Sequence, residues 1–157
     1  MKEKLLKKQL WDMIRLINTN FETAYKPIVE IHGLTTMQSR VLIGINECDE
    51  PTVGNISKII DVSSPNASNM CKKLEQEGFI HRMRGLIDER VVILKLTEKG
   101  EQTLLQINND LKNMFGPIIE KIPEEEFETI ISGMKLLNKL LSELEDAGNR
   151  YGKTKEL

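Results

Sequence analysis

The stretch SPNASNMCKKLEQEG, residues 64–78, marks both ends and both faces of a helix. Ser64 offers a capping oxygen, Pro65 suits the first helical position, and Gly78 stops the helix. Ala67, Met70, Cys71 and Leu74 fall at i, i+3, i+4 and i+7, the spacing of a buried stripe. The other face carries Asn66, Ser68, Asn69, Lys72 and Lys73. Just upstream, Thr52 caps a helix of barely two turns carrying Val53, Ile56, Ile59 and Ile60, and Asp61, Val62 and Ser63 make a tight break. A short helix, a break and a second helix with a polar outer face form a helix-turn-helix.

Downstream, the periodicity changes to two short β-branched runs, 79–84 and 90–96, separated by a five-residue tip, which fits a hairpin. Thr97 then caps a helix with Leu104, Ile107, Leu111 and Met114 inside, expected to end before Pro117. Pro123 opens a last helix in which Phe127, Ile130, Met134, Leu137, Leu141 and Leu144 keep helical spacing, and from Gly148 a frayed polar tail is expected. Upstream, Leu6, Leu10, Met13, Ile14, Ile17 and Phe21 form one stripe on a long helix over about 4–29 that Pro27 and Gly33 bring to an end. Thr35 and Gln38 have the spacing of a capping box for a second helix, with Val41, Leu42 and Ile45 inward.

These elements predict a mainly α fold with a small β-hairpin wing: a winged helix-turn-helix over residues 34–100, flanked by terminal dimerisation helices at 1–33 and 101–147, with a flexible tail at 148–157. At 157 residues one domain is expected. With 39% hydrophobic and 29% charged residues, the chain has enough apolar material for a core. The two cysteines, Cys48 and Cys71, are too few for a disulfide framework, and charges interrupt the N-terminal apolar residues. A cytoplasmic protein with no membrane partner is the expectation.

The net charge of −2 predicts neither nucleic-acid nor membrane binding, so the placement of charge matters more. Residues 52–100 hold eight Lys and Arg against six acids, whereas 101–157 hold seven against eleven. The middle is the candidate DNA-facing part. Asn pairs bidentately with adenine, Ser with several base edges, and Lys with guanine or phosphate, so the 64–73 face has the chemistry of major-groove readout, and Arg82 and Arg84 add a basic edge on the wing. The same residue types also occur on merely solvated helix faces. The small local charge excess calls for doubling by a two-fold dimer, and the terminal apolar stripes are too long for a monomer to leave uncovered.

Catalysis finds little support. Neither His32 nor His81 sits in a nucleophile motif, and no glycine-rich phosphate loop occurs. Glu124, Glu125 and Glu126 follow Pro123 at a helix start, where the helix dipole favours negative charge, so no metal and no cofactor is expected. His32 reads as a capping or surface residue, and Cys71 as a small core residue rather than a redox sensor. The competing reading is a winged-helix protein-interaction module that docks a partner through Leu86 and Ile87 and binds no DNA.

The run LTTMQ at 34–38, the turn and helix over 63–78, and DERVVILKLTEKG at 88–100 resemble the MarR family of transcriptional regulators. That resemblance implies a homodimer with interleaved first, fifth and sixth helices, one winged module on each half of a pseudo-palindromic site in double-stranded DNA, and a repressor as the usual outcome. Matched position by position, it implies that Ser64, Asn66, Ser68, Asn69, Lys72 and Lys73 form the recognition surface. Asp88 and Arg90 match the wing pair, in which the aspartate orients an arginine toward the minor groove or backbone. The wing tip departs from the pattern, with Gly85, Leu86 and Ile87 where polar or basic residues are usual. The family's oxidant sensors use a first-helix cysteine, which this chain lacks. The resemblance further implies a pocket for a small-molecule effector, for which Tyr25, His32, Met37 and Arg40 are the candidates, Arg40 being suited to an anionic group.

Overall fold

The computed structural model describes residues 2–85 and 91–155, with side chains from 8 to 151 outside the gap at 86–90. Six helices and one hairpin follow in order among the described residues: α1 (Lys2–Glu30), α2 (Thr36–Glu47), α3 (Val53–Ile59), α4 (Ser64–Gln76), β1 (Ile80–Arg84), β2 (Val92–Leu96), α5 (Glu98–Ile119) and α6 (Glu124–Lys155). The mainly α fold with a hairpin wing is therefore as the sequence predicts. The chain forms two compact units, Met1–Asn113 and Met114–Leu157.

In the first unit α2 is the central element, packed against α1, α3, α4 and β2. Its start is the capping box read from the sequence: the Gln38 N–H donates to Thr35 Oγ1 at 3.2 Å, and the Thr35 N–H donates to Gln38 Oε1 at 2.9 Å. Val41 and Leu42 are fully buried, with Ile56, Ala67, Cys71 and Leu74 from α3 and α4. The antiparallel hairpin pairs Ile80 with Leu96 and Arg84 with Val92. Behind it Thr52 bridges to Ile93, and the Leu94 N–H donates to Pro51 O at 2.7 Å. The segment before α3 thus stitches the wing to the helix-turn-helix.

Three helix ends close by the same paired bonds, in which the residue after the cap turns left-handed and two N–H groups reach back to otherwise unpaired carbonyls. After α1 the residue is Gly33, after α4 it is Gly78, and after α3 it is Asp61, with φ of 54°. At the last, Asp61 N–H donates to Lys58 O at 3.3 Å and Val62 N–H to Ser57 O at 2.9 Å. Asp is one of the few residues besides Gly that tolerates this conformation, which is how the tight break between α3 and α4 is made.

Several local expectations need correction. The N-cap of α4 is Ser63 rather than Ser64, and it makes no side-chain cap bond. Pro117 does not end α5, which runs on to Ile119: so close to the helix end the proline removes a single bond, and Asn113, whose carbonyl loses its partner, is exposed. Met114 is 52% exposed rather than inside. The polar stretch from Gly148 is helical as far as Lys155. The wing tip with Leu86 and Ile87 lies outside the described residues.

In the second unit the turn between α5 and α6 is closed by Glu120 N–H on Gly116 O at 2.9 Å and Ile122 N–H on Ile119 O at 3.0 Å. The α6 stripe is open, with Phe127, Ile130, Met134 and Leu144 exposed and Leu137 and Leu141 half-buried. The α1 stripe is open too: Met13, Ile17 and Phe21 are each about half exposed, and Trp11 beside them more so. No described helix is long and apolar enough to cross a membrane.

Candidate nucleic-acid interface

The face of α4 that the sequence assigns to DNA is presented to solvent. Asn66, Asn69, Lys72 and Lys73 are exposed and Ser68 is half-buried, while Ala67, Cys71 and Leu74 on the opposite side are fully buried. The same 3.6-residue period that seats one face in the core aims the other outward. Lys73 is drawn toward Glu77 at 3.8 Å, a solvent-screened pair one turn apart that a phosphate could displace. Ser64 is exposed, but its Oγ lies 3.4 Å from Ser57 Oγ, so it also ties α4 to α3.

The C-terminal end of α4 is held by an unusually dense set of bonds. Gln38 Nε2 donates to Glu77 Oε2 at 3.1 Å, Lys99 Nζ to Glu77 O at 2.6 Å, and Thr97 Oγ1 to Gly78 O at 2.7 Å. The Lys99 ammonium also lies 4.0 Å from the centre of the Phe79 ring. A cation on the last carbonyls of a helix is favoured by its dipole, so α4 is both capped and fixed in direction by the start of α5.

The wing residues fare differently. Arg84 is exposed at the end of β1, and His81 is exposed on the same strand. Arg82 is turned toward α4: its side chain is 18% exposed, its Nη1 lies 3.6 Å from Glu75 Oε2, and its own N–H donates to Glu75 Oε1 at 3.2 Å. It joins the wing to α4, because a guanidinium half withdrawn from water keeps the carboxylate beside it. Asp88 and Arg90 lie outside the described residues. Burial pushes the Cys71 thiol up from 9.0 to about 11, with Arg82 opposing the rise and Glu75 adding to it. At neutral pH it is a protonated core group.

The four effector candidates divide between two places. Tyr25 is buried, and its hydroxyl hydrogen-bonds Ser39 Oγ at 3.1 Å across the α1–α2 seam. Arg40 pairs with Glu22 at 3.3 Å on the exposed edge of that seam, with Met37 Sδ 4.0 Å from its Nη1. His32 stands apart at the α1–α2 corner. It is the cap residue before the left-handed Gly33, but not a surface residue, since its ring is 15% exposed and its Nε2 lies 2.7 Å from Asp110 Oδ2 of α5. A partner 78 residues away leaves no local signal in the sequence.

The model of the transcriptional regulators SarA and Rot matches residues 23–107, more than half of the chain and all of the helix-turn-helix and wing. The chain belongs to the SarA/Rot family of transcriptional regulators. Among relatives of this SarA/Rot member, the HTH-type transcriptional regulator BilQ of Clostridioides difficile is 22% identical over 130 residues, 83% of this chain and 88% of that one. A MarR-family protein from Bacillus stearothermophilus superposes with a TM-score of 0.75 at 22% identity, over 90% of this chain and 99% of that one. Streptococcus pneumoniae FabT, solved in complex with DNA, superposes with a TM-score of 0.73 at 24% identity, over 88% and 99%. The fold is that of the MarR regulators, as the sequence resemblance implies.

Proposed function

We propose that the protein is a homodimeric, sequence-specific DNA-binding regulator in the cytoplasm, and not an enzyme, acting as a repressor at a pseudo-palindromic promoter site. The observation that carries this reading is the α4 face. Asn66, Asn69 and Lys72 project from a helix whose other side is locked in the core and whose end is pinned to α5. Amides and an ammonium on one rigid helix are the donors and acceptors that the major groove discriminates. Within this proposal the terminal helices supply the dimer: residues 1–33 and 101–147 carry the open apolar stripes, and a second subunit is their cover.

Release by a small-molecule effector fits the same frame. The exposed Arg40–Glu22 pair is an ion pair that an anionic ligand can open, and it lies on the seam between the stripe-bearing α1 and the central α2. A ligand that binds better to the dimer with wrongly spaced reading helices lowers DNA affinity by that difference in binding free energy.

The test is gel retardation on the DNA upstream of the protein's own coding sequence, over a range of salt, with neighbouring promoters as competitors. The proposal predicts sequence-selective retention that weakens steeply with salt. Salt-insensitive, sequence-blind retention would favour the protein-interaction module instead.

A further inference from the structure

We infer that the His32–Asp110 hydrogen bond is a positioning contact that sets which half-site separation the dimer accepts, an inference that rests on the DNA-binding reading above. Helix α5 is anchored to the C-terminal end of α4 around its first turn, where Lys99 Nζ donates to Glu77 O at 2.6 Å and Thr97 Oγ1 to Gly78 O at 2.7 Å. Asp110 lies ten residues further along the same helix, about 15 Å at the rise of an α-helix. There it holds His32 in the corner that ends α1. Ile107, one turn before Asp110, is 1% exposed, so this face of α5 is turned toward protein.

Two anchors on one rod define an angle, and either alone does not. A pivot of roughly 6° about the first turn moves Asp110 by about 1.5 Å, enough to break a 2.7 Å hydrogen bond. The intact bond therefore limits the tilt between α1 and the α4–α5 junction to a few degrees. In the proposed dimer the α1 stripes meet, and the reading helices stand about 34 Å apart, roughly 17 Å from the axis each. The same 6° then shifts each helix by about 1.8 Å and their separation by about 3.5 Å, close to one base-pair step. The corner carries no base-contacting residue, yet it governs the register of those that do.

The experiment uses the full chain and DNA duplexes carrying the half-sites that the wild type selects from a random pool. Their separation is kept, lengthened or shortened by one base pair. Wild type is expected to lose about tenfold or more in affinity for either altered spacing. Asp110→Ala is expected to retain the dimer and lose most of that discrimination, to within about threefold, with Asp110→Asn restoring it because the amide still bonds the imidazole. His32→Gln serves as the second variant should Asp110→Ala fail to fold. Unchanged spacing discrimination in the variants overturns the inference and leaves the DNA reading standing. Failure of the wild type to select any DNA overturns both.

Discussion

Gly100→Ala isolates the close approach of α5 to the segment that follows α4. A Cβ built on Gly100 would lie 2.2 Å from Phe79 O, 3.2 Å from Phe79 C and 3.4 Å from Leu96 Cδ2. The carbonyl cannot easily retreat, because Phe79 O already accepts the Thr97 N–H at 3.0 Å and Phe79 N–H donates to Leu74 O at 2.9 Å. Relief needs a backbone displacement of about 1 Å, and overpacking of this kind costs about 1–3 kcal/mol. Alanine recovers up to about 1 kcal/mol of helix propensity, so a net loss of about 1–2 kcal/mol is expected. For a chain of this length that lowers Tm by about 3–8 °C. Thermal unfolding followed by circular dichroism, at one fixed protein concentration, reads it directly. Gly54→Ala is the control: its added Cβ meets only Thr52 Oγ1, at 3.9 Å, so its Tm should hold or rise. A Gly100→Ala protein that melts with or above the wild type refutes the close-approach argument.

Phe21→Glu, which places a charge in the open α1 stripe, should convert a dimer of about twice the chain mass into monomer in light scattering at micromolar concentration; a wild type that is itself monomeric removes the dimer. Lys72→Ala should weaken DNA binding for all sequences and lower the salt slope by about one, whereas Asn69→Ala should cost about 1–3 kcal/mol mainly at one base position; equal effects of the two on every sequence would contradict the assignment. Because Cys71 ionises at a higher pH folded than unfolded, the unfolded state loses its proton first, and folding stability should fall as pH rises from 9.0 to about 11. Urea titrations across that window should show a decline that Cys71→Ala flattens, and an equal decline in both proteins would argue against the buried thiol.

Features set by neighbours in the chain were legible in the sequence. Thr35 and Gln38 cap α2 as their spacing requires, Gly78 ends α4, and Ala67, Cys71 and Leu74 lie inward because helical period alone decides their side. What the sequence did not show shares a different cause. The ion pair of Arg82 with Glu75 on another element, and the hydrogen bond of His32 to Asp110 of α5, join residues that have no local signature for each other. Met114 and the α1 residues keep an apolar rhythm, but rhythm does not say whether the cover comes from the same chain. Gly100 stood in the run that carries the family resemblance; only the fold shows the carbonyl pressed against it.

The most direct measurement is hydroxyl-radical footprinting of the full-length protein on the promoter fragment it retains. Two α4 helices in one dimer predict two protected patches on one side of the duplex, centred one helical turn, about 10 base pairs, or a whole multiple apart, and both lost together in Phe21→Glu. A single protected patch, or two patches on opposite sides of the helix, would contradict the account.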